Sequence, residues 1–281
     1  MKLIITTFAI IISIFSGQAA IAQDLLEEPQ VLPEVSTLTS CAGNANALNN
    51  IPSEQEYCLG DSPFYWYESN PLWSGFVVGG NSDIYLEVKA RITTPADRSY
   101  SCGYGNWGAW VGLGGYHSSN LIQAGITNSP TSPGMYIFFI EYLNELNDNP
   151  PIFVQSQTFG PGADLLISVT YNKITHKAMF YLMNYSTGNS YTRITNGDVS
   201  NYYDGSSAEW INEKNGSTLY NFGTFHWNEA QVRLLNGQWS DSGDQTGHGL
   251  RIVNASGDIL ATPQFYPTTS TSFVDKFYQC N

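Results

Sequence analysis

The stretch WVGLGGYHSSNLIQAG, residues 110–125, contains a short apolar strand that carries one carboxamide, Gln123. Successive side chains of a strand alternate between its two faces, so Gln123 shares a face with Leu121 and Gly125 while the intervening apolar residues point into a core. An amide in apolar surroundings costs roughly 1–3 kcal/mol unless it is satisfied. Gln123 is therefore either bonded to nearby backbone or placed there for chemistry.

The same alternation continues along the chain from about residue 62. Short runs of this kind are broken by Gly, Asn, Asp and Pro, with turn signals at STGN, LNGQ and ASGD. The clearest runs are DIYLEVKARITTP, MYIFFIEYL, DLLISVTYN, KAMFYLMNYSTG and HGLRIVNASGDIL. We find no convincing amphipathic helix and no internal repeat. The pattern predicts a single all-β domain over 62–281, a sandwich or a barrel.

The composition is that of an all-β exported protein. The chain has a net charge of −13, 12% charged residues, 14% aromatic residues and 26 glycines. Low charge with many Tyr, Trp, Thr and Ser suits strands with polar and aromatic outer faces. The acidity disfavours nucleic acid and anionic membranes as partners. We expect a monomer.

The N-terminus predicts the compartment. Residues 1–22, MKLIITTFAIIISIFSGQAAIA, have one Lys, an apolar run and small residues before a predicted cut, as in a secretory signal peptide. A membrane anchor is the alternative, but the apolar run is short for a span. Residues 23–61 read as an irregular arm or pro-segment. The mature protein is expected to be secreted, or periplasmic if its source is a Gram-negative bacterium.

The four cysteines predict disulfides in an exported chain. Three pairings are possible, and we expect Cys41–Cys58, which closes the N-terminal segment, with Cys102–Cys280, which pins the C-terminus. No C-x-x-C, HExxH, GxSxG or phosphate-binding loop occurs, and the four histidines are scattered. The sequence therefore predicts no metal site and no cofactor.

A second polar residue lies in an apolar strand. In SAEWINE, Glu209 shares a face with Ile211 and Glu213, opposite Ala208 and Trp210. A carboxylate and a carboxamide on curved sheet faces can converge on one water molecule. The alternative is that each residue is a satisfied polar group on a wet sheet face.

Local motifs across much of the body resemble the glutamic peptidases, or eqolisins. They occur in order along roughly 150 residues, and the Trp–Gly and AEWI elements are fairly specific together. They are LWSGFVV at 72–78, LEVKARITTP at 86–95, WVGLGG at 110–115, LIQAG at 121–125, FFIEYL at 138–143, AEWINE at 208–213 and NFGTFHW at 221–227.

The resemblance implies a concanavalin A-like sandwich of two antiparallel sheets with the active site in a concave cleft. It places the catalytic pair at Gln123 and Glu209, and substrate-binding positions at Trp110, Glu141 and Glu213. Glu209 would activate a water molecule and later protonate the leaving amine, while the Gln123 amide stabilises the oxyanion. The expected activity is acid-acting endopeptidase action on unfolded polypeptides.

The sequence departs from the family at two positions near this pair. Gly114 and Thr127 stand where the family usually has aspartates. Nearby like charges raise a carboxyl pKa, so their loss predicts a lower pKa for Glu209 and a less extreme pH profile. Family pro-segments are commonly basic, whereas residues 23–61 are acidic, which argues against a charge-clamped zymogen.

Two other functions fit part of the pattern. A lectin-like sandwich also presents aromatic side chains on a concave sheet, and fold does not fix function. A glycoside hydrolase would pair Glu209 with Glu141 or Glu213, at a carboxyl separation of about 5–9.5 Å.

Overall fold

The computed structural model describes residues 67–79, 84–96, 102, 107–265 and 271–281. The predicted signal peptide at 1–22, the arm at 23–61 and the predicted Cys41–Cys58 bridge lie outside these residues. No helix in the described ranges is long and apolar enough to span a membrane.

The described chain is built almost wholly of β-strands, as the alternating runs predict. Two single turns of 3₁₀ helix, Ser200–Tyr202 and Ser242–Asp244, interrupt them. The strands are β1 Tyr67–Asn70, β2 Trp73–Gly79, β3 Tyr85–Thr93, β4 Trp107–Gly114, β5 Leu121–Asn128, β6 Tyr136–Asn144, β7 Asn147–Asp148, β8 Ile152–Phe159, β9 Asp164–Asn172, β10 Lys177–Asn184, β11 Asn189–Ile194, β12 Ser207–Lys214, β13 Thr224–Leu234, β14 Trp239–Asp241, β15 Gly247–Val253, β16 Ile259–Phe265 and β17 Phe273–Phe277.

The strands form two layers joined along one side. The first layer runs β8, β6, β5, β4, β12, β2, β15 and β1. The second runs β11, β10, β9, β3 and β13. β16 pairs with β15 and with β17, and β17 pairs with β13, so hydrogen bonding continues from one layer into the other. The predicted antiparallel sandwich is confirmed, with one exception: β1 runs parallel to β15.

The main core lies between the layers and follows the predicted alternation. Ile122, Ala124 and Ile126 of β5 and Ala208 and Trp210 of β12 are all fully buried in it. Their neighbours in sequence point to the other face of the first layer, where a smaller apolar cluster surrounds the polar residues. Period-two alternation therefore assigns the faces of both strands correctly.

A buried carboxyl ties three strands of the first layer to β17. Asp275 accepts hydrogen bonds from the Ser74 hydroxyl at 2.7 Å and the Asn212 amide at 2.9 Å, and Asn212 accepts from the Trp107 indole at 3.1 Å. Burial raises the pKa of Asp275 to about 7. The network thus contains an acid that, in the folded state, keeps its proton at pH values where an ordinary aspartate is ionised.

The C-terminus is also fixed covalently. Cys102 and Cys280 form a disulfide across 178 residues of sequence. This confirms the predicted pairing of these two cysteines. The Cys280 carbonyl in addition accepts a backbone hydrogen bond from Leu219.

Candidate active site

Gln123 and Glu209 lie in one cross-strand row on the outer face of the first layer. In the strand register, Glu209 is opposite Val77 on one side and Gly112 on the other, and Gly112 is opposite Gln123. Gln123 is in turn opposite Glu141. Directly opposed residues of paired strands share a face, and strands are about 4.8 Å apart, so the backbones of Gln123 and Glu209 are roughly 10 Å apart.

A glycine separates the two polar side chains. A Cβ atom added at Gly112 would lie 2.8 Å from the Trp110 ring and 2.9 Å from Leu121 Cδ1, closer than carbon atoms normally approach. The position between the carboxamide and the carboxyl therefore admits no side chain. The Trp110 ring and the Leu121 side chain occupy the space over this glycine.

The carboxyl of Glu209 is held by one oxygen only. Oε1 accepts a hydrogen bond from the Ser207 hydroxyl at 2.6 Å and from the Tyr116 backbone N–H at 3.2 Å. Oε2 has no hydrogen-bond partner among the described residues, although it is buried. Burial raises the pKa of Glu209 well above its ordinary value, the two donors partly offset this, and the Asp204 carboxylate adds to the rise.

The amide of Gln123 is held in the same one-sided way. Its Nε2 donates to Glu141 Oε2 at 2.5 Å, which leaves one N–H of the amide and the carbonyl oxygen for other partners. Oε1 is buried and has no hydrogen-bond partner among the described residues. Two buried acceptor atoms, one from each side chain, therefore share the row without a donor.

Glu213 occupies the same face of β12 but a different environment. Its Oε1 accepts from the Trp73 indole at 3.0 Å and its Oε2 from the Trp110 indole at 2.9 Å. The two indoles meet edge to face with ring centres 5.1 Å apart. Burial raises the pKa of Glu213, and the indole N–H groups oppose that rise.

The three predicted substrate-binding residues all have partners inside the site. Trp110 is fully buried and bonds to Glu213, while Glu141 bonds to Gln123. These contacts make them supports of the row. Direct contact of Trp110, Glu141 and Glu213 with substrate stays a prediction.

A third carboxylate, Asp204, lies beside the first of the two positions where the family usually has an aspartate. Gly114 has φ +80°, and a Cβ there would lie 3.2 Å from Asp204 Oδ1, so Asp204 occupies the space beside this position. Thr127 instead donates its hydroxyl to the Trp107 carbonyl at 2.6 Å. Burial and the Asp204 carboxylate raise the pKa of Glu209. The expectation of a lowered pKa considered only the two lost aspartates and neither of these causes.

Sequence reasoning missed several contributors to the site. Ser207 carried a usable signal, since it lies two residues before Glu209 and so shares its face. Gly112, Tyr116 and Trp73 carried none, because their roles depend on strand register and on a loop. Among the described residues, no group of three or more His, Cys, Asp or Glu is placed to hold a metal ion.

The sequence profile of the Peptidase A4 family matches residues 71–273, which include every strand from β2 to β16 and the whole row. The chain belongs to the peptidase A4 family. Family membership identifies a peptide hydrolase and confirms the resemblance to the glutamic peptidases. It disfavours the lectin-like and glycosidase alternatives.

Solved structures of this family share the fold. Scytalido-glutamic peptidase with a transition state analog inhibitor is 18% identical, covering 74% of this chain and 99% of that chain, with a TM-score of 0.60. SCP-B, a member of the eqolisin family of peptidases in complex with the tripeptide Ala-Ile-His, is 18% identical, covering 74% of this chain and 99% of that chain, with a TM-score of 0.56. Aspergilloglutamic peptidase from Aspergillus niger is 19% identical, covering 62% of this chain and 99% of that chain, with a TM-score of 0.50. No curated protein matches the chain by sequence.

Proposed function

We propose that this peptidase is an exported, acid-acting endopeptidase in which Glu209 and Gln123 together activate a water molecule. The observation that carries the proposal is the pair of buried acceptors, Glu209 Oε2 and Gln123 Oε1, in one row with only a glycine between them. Buried acceptors are normally satisfied by protein or water. A single water can donate one hydrogen to each and direct its lone pairs towards a substrate carbonyl.

The chemistry then follows from the two side chains. Ionised Glu209 takes a proton from the water, whose oxygen bonds to the peptide carbonyl carbon and forms a tetrahedral oxyanion. The Gln123 N–H that does not face Glu141 donates to that oxyanion. Protonated Glu209 next gives its proton to the amide nitrogen, the C–N bond breaks, and the carboxyl and amine products leave.

The contacts of the other acids disfavour a paired-carboxylate glycosidase. Both oxygens of Glu213 accept indole N–H groups, and Gln123 lies between Glu141 and Glu209 in the row. Neither acid is therefore placed to work with Glu209 across a glycosidic bond. The partner of Glu209 is the carboxamide.

Access and pH both follow from burial. Glu209 exposes none of its surface and Gln123 only 4%, so both groups are shielded from bulk solvent. The raised pKa of Glu209, which burial causes, moves the pH at which this base ionises upward from its ordinary value. Activity is thus expected to rise with pH through the pKa of Glu209 and to be low in strong acid.

The test is proteolysis of an unfolded protein substrate between pH 3 and 7. Gln123→Ala removes an oxyanion donor and is expected to lower kcat by about 10²–10³-fold. Glu209→Gln removes the general base and is expected to lower kcat by at least about 10²–10⁴-fold. Glu145→Gln, an exposed position, serves as the control and should cleave like the parent.

Either variant cleaving at the parental rate while folded would overturn the proposed pair. A parent that cleaves nothing, but retains sugars on a glycan array as both variants do, would favour the lectin-like function.

Export is tested separately by N-terminal sequencing of the protein recovered from the medium or periplasm. Intracellular protein that retains residues 1–22 would contradict export.

A further inference from the structure

The loop between β4 and β5 connects Glu209 to a residue outside the proposed dyad. The Tyr116 backbone N–H donates to Glu209 Oε1 at 3.2 Å, and the hydroxyl of the same tyrosine donates to Glu68 Oε2 at 2.6 Å. Glu68 belongs to β1, which pairs in parallel with β15 at the edge of the layer. One residue thus contacts the active carboxyl with its backbone and the edge strand with its side chain.

Three residues of this loop have a positive backbone angle φ, and one of them is not a glycine. Gly114 and Gly115 have φ of +80° and +102°, and His117, which is not a glycine, has φ of +54°. A left-handed conformation at a non-glycine residue persists where surrounding contacts hold it. On its other side, Ser118 is bonded to Asp204.

Aromatic packing supports the tyrosine in this position. The Tyr116 ring centre lies 4.6 Å from that of His248 and 4.0 Å from that of His117. His248 belongs to β15, lies in the same cross-strand row as Glu209, and has its Nε2 3.7 Å from Glu68 Oε2. Burial lowers the pKa of His248, and the Glu68 carboxylate opposes this. The Tyr116 hydroxyl, at 2.6 Å, is the closer partner of Glu68.

We propose that Glu68 and Tyr116 are a positioning pair for the active carboxyl of this peptidase. The bond between them fixes the loop so that the Tyr116 N–H stays on Glu209 Oε1, which leaves Oε2 as the oxygen without a partner among the described residues. This role rests on the proposed function of Glu209. Two residues outside the dyad, Glu68 and Tyr116, then determine the orientation of the base and influence the pH at which the base ionises.

The groups facing Glu209 set the direction of the expected effect. The Tyr116 N–H and the Ser207 hydroxyl stabilise the carboxylate, while Asp204 disfavours it, and Tyr85 lies close enough to respond to the charge of Glu209. His248, Glu68 and Glu141 complete the titratable groups of the row and its end. Loss of the Tyr116 N–H alone makes the carboxylate harder to form, because one donor is removed.

The kinetic test uses Tyr116→Phe, which removes the hydroxyl and keeps both the ring and the backbone N–H. Without the bond to Glu68 the loop is no longer held, and the Tyr116 N–H moves away from Glu209. We expect kcat/KM on the acidic limb to fall about tenfold, because one hydrogen bond to a charged group corresponds to roughly one unit of pKa. The acidic limb should move to higher pH, with KM little changed. Ser119→Ala, an exposed position in the same loop, should show the parental profile.

Two substitutions at Glu68 separate the tether from the charge. Glu68→Gln and Glu68→Ala both remove the negative charge, but only the glutamine keeps an oxygen that accepts the Tyr116 hydroxyl. We expect Glu68→Gln to retain most activity and Glu68→Ala to behave like Tyr116→Phe. Tyr116→Phe combined with Glu68→Ala should be no worse than either alone.

A direct measurement keeps this inference separate from the proposed function. Glu209 is titrated by carbon NMR of protein labelled at the glutamate carboxyl carbon, and its signal is assigned by its loss in Glu209→Gln. In Tyr116→Phe and in Glu68→Ala the midpoint should rise relative to Glu68→Gln. Parental midpoints in all three would overturn the positioning pair, whereas parental cleavage by Glu209→Gln would overturn the proposed dyad and leave the titration result standing.

Discussion

At the scale of single residues, the two polar side chains of the row are each bonded at one atom and open at the other. Glu209 is bonded through Oε1 and Gln123 through Nε2, and the remaining oxygens are buried without a hydrogen-bond partner among the described residues. Polar groups that are already held in place favour electrostatic catalysis, because no reorganisation is required when charge develops. Gly112 is as much a part of this arrangement as the polar groups, since a side chain there would collide with the Trp110 ring and Leu121.

We expect Gly112→Ala to lower activity far more than it lowers stability. The added methyl group would press on the Trp110 ring and Leu121, beside the two polar groups. Overpacking typically costs about 1–3 kcal/mol of folding stability, while a displaced Trp110 ring would misplace the proposed dyad and should lower kcat by at least about tenfold. Steady-state kinetics and urea unfolding of the same preparation check this.

The matched control is Gly79→Ala in β2, where an added Cβ meets nothing within 4 Å. It should match the parent in kcat and be equally or slightly more stable, because alanine restricts the unfolded chain. Equal activity of parent and Gly112→Ala would show that the space at Gly112 is not used.

At the scale of elements, β12 is the centre of the site. It pairs with β2 on one side and β4 on the other, and it carries Ser207, Glu209 and Glu213 on one face. The strand therefore presents the proposed base, one of its donors and a second buried acid from a single rigid segment. Sites built on central strands are held more precisely than sites on loops.

We expect Glu213→Gln to destabilise the fold and to leave the dyad in place. The carboxylate accepts two indole N–H groups, whereas an amide accepts at its oxygen and presents its own N–H groups to the other indole. Leaving one buried donor unpaired costs roughly 1–3 kcal/mol. Urea unfolding at one pH measures the loss, with Glu145→Gln as the exposed control. A loss no larger than that of the control would contradict the role of Glu213 as an acceptor for both tryptophans.

The sequence predicts elements well and their register poorly. Alternation in LIQAG and AEWINE predicts which residues face the core, because the side-chain period of a strand is fixed locally. It does not predict that Gly112 separates Gln123 from Glu209, since strand pairing is set by contacts far apart in sequence. The supporting bonds from Tyr116 and Trp73 were missed for the same reason. The identity of the two candidate residues came from the motif resemblance, and their catalytic role stays a prediction.

At the scale of the whole molecule, three buried acids make stability depend on pH. The pKa values of Glu209, Glu213 and Asp275 are all raised, with burial as the first cause in each case. A group whose pKa is raised on folding contributes stability that is fully present below its unfolded pKa and is lost as pH rises through its folded pKa. The exposed pair Arg91–Asp164 acts in the opposite direction and, because solvent screens it, only weakly.

We expect the free energy of unfolding to fall between about pH 4 and pH 7. For Asp275 the pKa rises from 3.8 in its ordinary state to about 7 in the fold. Three units at about 1.4 kcal/mol each correspond to roughly 4 kcal/mol as an upper bound. Urea unfolding at pH 4, 5.5 and 7 measures the slope. Asp275→Asn mimics the protonated acid and should show a shallower slope than the parent, and a slope as steep as the parental one would contradict the assignment to Asp275.

The disulfide should contribute more to stability than its place near the C-terminus suggests. It closes 178 residues of sequence, and long closed loops restrict the unfolded chain most. Replacing Cys102 and Cys280 together by alanine is expected to cost about 2–5 kcal/mol. Thermal unfolding of this variant beside oxidised and reduced parent checks the value. Unchanged stability in the double variant would show that the bonds made by Leu219 and Asp275 hold the C-terminus without it.

The strands β16 and β17 join the two layers along one side only, so the sandwich has one side closed by hydrogen bonds and two open margins. Among the described residues, β8 pairs only with β6 and β11 only with β10, and both margins carry exposed positions. Local unfolding should therefore separate the two layers at those margins first, while the amide protons of β12 exchange last. We therefore expect cleavage of one copy of this protease by another to begin at these open margins, far from the closed side where the C-terminus is bound.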